Sequence, residues 1–162
     1  MMQTLEDLIN QAAESLSKAA ELLRKQEAIP EKVIRRRWSK RSLENLKGVD
    51  KELVNIAWDV LQVSPLDFVV IEGLRTEARQ AKLVKRGASQ TMRSYHLIGR
   101  AIDFVPLVDG EISWHWEDFN KIGPCWESTA KDRGSIVTWG GRWKKFPDGA
   151  HVQLEPYATP RI

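Results

Sequence analysis

One cysteine, Cys125, stands in 162 residues. A lone thiol can form neither an internal disulfide nor a thiolate metal cluster within the chain. Histidine is nearly as scarce, with three in all, so imidazole chemistry must draw on His96, His115 and His151. No apolar run approaches the roughly 18 residues of a membrane-spanning helix. Glu6, Asp7, Glu14, Lys18 and Glu21 interrupt every apolar stretch near the start, where a secretory leader would need an unbroken one. Excess charge is small too: 25 Lys+Arg against 22 Asp+Glu leave +3, too little to mark a nucleic-acid binder. Repeats and low-complexity tracts are missing. What is there is an ordinary globular balance, 42% hydrophobic and 29% charged, at the length of a single domain. Seven tryptophans are unusually many.

The chain reads in three parts: a helix over residues 1–30, a basic junction over 31–48, and a folded domain over 38–156. In the first, Met2, Leu5, Ile9, Ala12, Leu16, Ala19 and Leu23 alternate at spacings of three and four, a narrow apolar stripe that Pro30 ends. This helix packs on its own domain, self-associates, or meets a membrane or wall. Residues 31–48 hold seven Lys/Arg and two Asp/Glu, so the local charge is +5. Their segment 32–41 is either a solvated junction or a contact for an anionic cell surface. Nucleic acid is not expected there, because interleaved stacking aromatics are missing apart from Trp38.

Further on, Asp50 caps a helix over 50–64 with Leu53, Ile56, Ala57, Val60 and Leu61 on one face, closed by Pro65. The run 67–73 reads as a buried strand. Thr76 caps a helix over 77–86 that stops at Gly87. A strand follows at 100–105, then helical material over 116–133 interrupted at Gly123–Pro124, then strands at 136–139 and 151–154. Helices and strands mix without βαβ alternation, so the class is α+β.

Two of the histidines stand near carboxylates. His96 and Asp103 flank a glycine-containing turn, and strand alternation sets Asp103 beside small Ala101. His151 opens the last strand and shares a face with Gln153. Two His and one Asp make a three-ligand N and O set, the usual number at a catalytic zinc that keeps one position open. Such a metal needs a neighbouring carboxylate to shuttle protons, and Asp148 lies in the Pro147-Asp148-Gly149 turn just ahead of His151. From spacing alone, surface or core histidines and a capping Asp remain an alternative. His115, between Trp114 and Trp116, reads as packed or exposed, and Cys125 as a small buried residue.

The pattern Ser94-x-His96-x-x-Gly99-x-Ala101-x-Asp103 followed by Asp148-x-x-His151 resembles the zinc D-alanyl-D-alanine carboxypeptidases, and most of all the L-alanyl-D-glutamate endopeptidase endolysins of bacteriophages. Residues 38–46 (Trp38 to Leu46), Gly73-Leu74-Arg75-Thr76, Gln80 and Trp139-Gly140-Gly141-x-Trp143 agree with it in order. The resemblance implies a Hedgehog/DD-peptidase-like α+β fold with a small antiparallel sheet and packed helices. It implies zinc on His96, Asp103 and His151, with Asp148 as acid/base. Arg75 falls where relatives place a cation on the oxyanion; a structural ion pair is the alternative. Ser94 and Gln80 match positions that shape substrate hydrogen bonds, against a turn serine and an exposed helix amide. Trp139 and Trp143 either wall the cleft or close the core. Val152 stands where many relatives have Phe, and Gln153 where some have Glu.

The implied function is a zinc-dependent hydrolase of peptidoglycan that cuts the stem peptide at L-alanyl-D-glutamate. A D-alanyl-D-alanine carboxypeptidase and a non-catalytic, zinc-containing wall-binding module are the alternatives. A lysin of this kind is expected to act as a monomer, to wait in the host cytoplasm until released, and then to act on the wall.

Overall fold

The computed structural model describes residues 14–18, which are helical, and residues 36–156. The rest of the stripe predicted over 1–30, and residues 31–35 of the basic junction, lie outside the described residues. The chain divides into two units, 1–35 and 36–162, and the second holds every element named below. Among the described residues no helix is long and apolar enough to cross a membrane.

The class is α+β. Ser39 accepts from the Ser42 N–H and opens α1 (Lys40–Asn45), a six-residue helix too short for its periodicity to show in the sequence. Asp50 accepts from the Glu52 N–H and opens α2 (Lys51–Val63). Its predicted stripe is real: Leu53, Ile56, Ala57, Val60 and Leu61 are all fully buried, each large side chain stabilising the fold by about 1.5–3 kcal/mol. Strand β1 (Asp67–Glu72) follows, then α3 (Glu77–Lys85) with Thr76 as its cap. A short 3₁₀ turn, Tyr95–Ile98, leads into β2 (Ala101–Val108). Residues Asp109–Gly110, both at positive φ, turn the chain back into β3 (Glu111–Ile112), a hairpin that an Asp-Gly pair favours. The long α4 (Trp116–Asp132) precedes β4 (Val137–Trp139) and β5 (His151–Leu154).

The sheet is antiparallel in the order β1-β2-β5-β4, with β3 paired to β2. Helices α2 and α4 cover one face. There Val70, Ile102, Phe104 and Val152 meet Ile56, Ile122 and Trp126 in a fully buried core. Trp38 packs against Trp58 and Phe68, and Trp126 against Phe68 and Phe104, so part of the tryptophan excess is core aromatic area.

One sequence expectation fails in α4, which runs through Gly123–Pro124 without interruption. Proline removes one hydrogen bond of the helical ladder. The carbonyl that loses its partner belongs to Asn120, which is exposed, as is Pro124, so solvent can satisfy it. Buried Phe119, Ile122, Trp126 and Ala130 hold both halves on the sheet. Gly123 has its own reason to be there: a Cβ would overlap the Trp139 indole. Gly123→Ala is expected to destabilise the fold by about 1–3 kcal/mol through overpacking. Chemical denaturation measures this, and an unchanged midpoint would mean that the Trp139 contact is not tight.

Candidate metal centre

The register of the sheet brings the first two functional side chains together. Asp103 of β2 pairs directly with His151 of β5, and Ala101 with Gln153, so His151 and Gln153 project from the face that carries Asp103. His96 arrives from the 3₁₀ turn. Ser94 Oγ accepts from the His96 N–H at 3.4 Å, and Gly99 ends the turn at φ 68°. A Cβ on Gly99 would overlap the Gly48 carbonyl, so this left-handed position demands glycine. The Arg75 N–H donates to the His96 carbonyl at 3.0 Å, which ties the turn to the segment after β1.

Three atoms converge. His96 Nε2 lies 3.1 Å from Asp103 Oδ1 and 3.2 Å from His151 Nδ1, and His151 Nδ1 lies 3.2 Å from Asp103 Oδ1. The tautomers follow from the outer partners. His96 Nδ1 is 2.7 Å from the Gly73 carbonyl, an acceptor, so the ring proton sits on Nδ1. Gln153 donates through Nε2 to Glu155 Oε1 at 2.7 Å, which turns its Oε1 toward His151 Nε2 at 3.2 Å. The His151 proton is therefore on Nε2. In those tautomers, with no second proton on either ring, the imidazoles and the carboxylate aim three lone pairs at one point. Donors about 2.0–2.1 Å from a tetrahedral ion stand roughly 3.3–3.4 Å apart, close to the separations seen. The donor set fits a divalent metal ion.

The electrostatics agree. Burial works against charge on Asp103, but its contacts with His151 and His96 outweigh it and hold this carboxyl well below its usual range. Burial likewise opposes charge on His151, and Asp103 more than offsets it, raising the imidazole pKa. The cluster favours positive charge at its centre. Asp148 lies in the same cavity, of about 370 Å³, together with His96, Asp103 and His151. Its Oδ1 accepts from the Ala150 N–H at 3.2 Å. Burial, then the Asp103 charge, pushes its carboxyl up, which suits a group that must both take and return a proton.

Behind the ligands lies a second layer that the sequence did not reveal. A β-bulge between Val70 and Glu72 sets Glu72 opposite Asp103, two carboxylates side by side. Arg75 Nη2 bridges them, 2.7 Å from Glu72 Oε2 and 3.2 Å from Asp103 Oδ2. Burial disfavours charge on Glu72, but Arg75 outweighs it and keeps that carboxyl low. Arg75 Nη1 donates to Gln80 Oε1 at 2.7 Å, while Nε is buried without a partner. Gln80, fully buried, spends its Nε2 on Ser89 Oγ and the Thr91 carbonyl at 2.8 and 2.6 Å.

Of the residues predicted as a site, His96, Asp103, His151, Asp148, Arg75, Ser94 and Trp143 line one cavity. Trp143 flanks His151 with ring centroids 5.0 Å apart. Two predicted substrate contacts do not. Gln80 is an interior crosslink with its amide used up. Trp139 is 4% exposed, its Nε1 donates to the Gly149 carbonyl at 2.8 Å, and its ring rests on Gly123 and Gly141. His115 stands at the start of α4, outside the ligand group. Burial raises the Cys125 pKa, which leaves an inert thiol.

Comparison with known proteins settles the lineage. The family described as phage L-alanyl-D-glutamate peptidase matches residues 34–160. The chain belongs to that family. It is 32% identical to the L-alanyl-D-glutamate peptidase of Escherichia phage T5 over 133 residues, covering 73% of this chain and 97% of the phage protein. It is 36% identical to the enzyme of the same name from Listeria phage A118, over 68% of this chain and 37% of that protein. Among solved structures, the Serratia marcescens L-Ala D-Glu endopeptidase ChiX superposes with a TM-score of 0.70 at 42% identity, covering 77% of this chain and 94% of ChiX. As a member of this peptidase family the protein is a hydrolase.

Purified protein should carry roughly one divalent transition-metal ion per chain, measured by elemental analysis, and His96→Ala or His151→Ala should remove it. Chelation should lower the melting temperature, because an ion that binds only the folded state stabilises it. Full metal content in either variant would refute the ligand set.

Proposed function

We propose that the protein is a zinc-dependent peptidoglycan endopeptidase that cuts the stem peptide between L-alanine and D-glutamate, with residues 38–156 as its catalytic domain. The observation behind this reading is the convergence of His96 Nε2, Asp103 Oδ1 and His151 Nδ1 beside the half-buried Asp148 carboxylate, in a chain whose relatives bear that activity in their names. Two imidazoles and one carboxylate suit zinc better than magnesium or calcium, which prefer all-oxygen sites. When bound, zinc supplies Lewis acidity, which polarises a carbonyl and acidifies water.

The chain's own residues do the rest. Asp148 takes the proton of the attacking water, and burial keeps that proton long enough to be handed to the departing D-glutamate nitrogen. Gly73 and Gln153 keep both imidazoles in the ligating tautomer. Arg75 acts mainly through Asp103, whose outer oxygen it holds; one Nη1 N–H is left for a substrate oxygen. Ser94 and Trp143 shape the cavity wall beside His96 and His151. The enzyme waits in the host cytoplasm until it is released to the wall.

Asp148→Asn should keep its zinc and lose about 10²–10⁴-fold in hydrolysis rate, the range for removing a general base. Mass spectrometry of digested muropeptides gives the second measurement. New amino-terminal D-glutamate supports the reading. Loss of terminal D-alanine alone, or undiminished hydrolysis by Asp148→Asn, would overturn it.

A further inference from the structure

Three carboxylates and two arginines line the cavity: Glu72, Asp103 and Asp148, with Arg75 and Arg93. The two arginines differ in kind. The Arg75 side chain is 7% exposed and already neutralised by Glu72 and Asp103. The Arg93 guanidinium is exposed and has no hydrogen-bond or ion-pair partner among the described residues. Its backbone is nevertheless fixed. The Arg93 N–H donates to Thr91 Oγ1 at 2.9 Å, and the Thr91 carbonyl is held by buried Gln80, which also holds Arg75. Arg93 thus stands three residues before His96, on a wall tethered to the metal centre, with its charge unspent.

The substrate proposed above supplies the missing anion. Cleavage at L-alanyl-D-glutamate leaves the nitrogen on D-glutamate, whose Cα bears a free carboxylate two bonds from that nitrogen. A carboxylate so near the reacting atoms enters a cavity that already holds three others, and needs a cation not claimed by them. A guanidinium suits it, because its rigid fork matches a carboxylate and its charge never titrates away.

We infer that Arg93 binds the α-carboxylate of D-glutamate on the leaving side of the scissile bond, and thereby sets a preference for D-glutamate over its α-amide. The inference rests on the L-alanyl-D-glutamate reading.

The test uses the full-length metal-loaded protein and two synthetic stem peptides that differ only at that α-carboxyl, free in one and amidated in the other. Wild type should favour the free acid in kcat/KM by roughly 10- to 100-fold, the worth of one charged hydrogen-bonded pair. Arg93→Gln should bring the ratio near unity, and Arg93→Lys should restore part of it. Metal content and melting temperature, followed in each variant, separate loss of recognition from loss of fold. Equal cleavage of both peptides by wild type, or a preference that survives Arg93→Gln, overturns the assignment. If wild type cleaves neither peptide yet trims terminal D-alanine from muropeptides, the endopeptidase reading fails and the role of Arg93 falls with it.

Discussion

Two protons pointing away from the site decide what the site can be. With the His96 proton held outward by the Gly73 carbonyl and the His151 proton by Gln153, the singly protonated rings turn their lone pairs toward the Asp103 carboxylate. Without a cation that arrangement is repulsive, and with one it is a ligand set. Much else in the domain serves those two hydrogen bonds. Gly73 cannot be larger, because a Cβ would overlap the Asn45 carbonyl at the end of α1. Gln153 is oriented by Glu155, and Tyr95, the neighbour of His96, donates to the other Glu155 oxygen at 3.3 Å. An outer ring of contacts thus runs from the turn that carries His96 to the strand that carries His151.

The same economy governs charge. Setting Glu72 beside Asp103 would be costly for two carboxylates alone, since a buried charge must be paired and hydrogen-bonded. Arg75 resolves this and in doing so gives up most of its freedom to act on substrate. Gln80 then fixes Arg75 and the 89–91 segment together. The Asp103 carboxylate, its arginine and one cavity wall are therefore mechanically coupled, so a change at Gln80, which does not line the cavity, reaches Asp103 through two hydrogen bonds.

How much of this could be read in the sequence differs from residue to residue. The stripe of α2 and its Asp50 cap were plain, because amphipathic periodicity and capping are local. The ligand triad was visible only as a spaced pattern resembling a known family; spacing by itself left surface histidines open. What stayed hidden is what long-range packing decides. A glutamine on a short, charged helix gives no sign that it will be fully buried. The bulge that turns Glu72 toward Asp103 depends on pairing with a strand some thirty residues away. Gly123–Pro124 looked like a break because proline's local cost is known, whereas the burial that offsets it comes from the sheet. Trp139 could have faced the cleft or the core, and the glycines at 123 and 141 that admit its ring settle it only once the chain is folded.

Arginine illustrates why counting charge says little about recognition. The +5 of residues 31–48 suggests an anion-binding junction, yet Arg36, inside it, has Nη1 within 2.6–3.1 Å of the Leu61, Ser64 and Leu66 carbonyls and Ser64 Oγ. It closes the carboxyl end of α2, where free carbonyls and the helix dipole favour a cation. Arg75 is likewise spent, on the Glu72 and Asp103 carboxylates. Both are cationic in any tally, and neither has much charge left to offer a ligand. Net charge attracts from a distance only within a screening length of about 8 Å at physiological salt. Within the cleft, discrimination depends on which cation lacks a partner, and that is a property of the folded network.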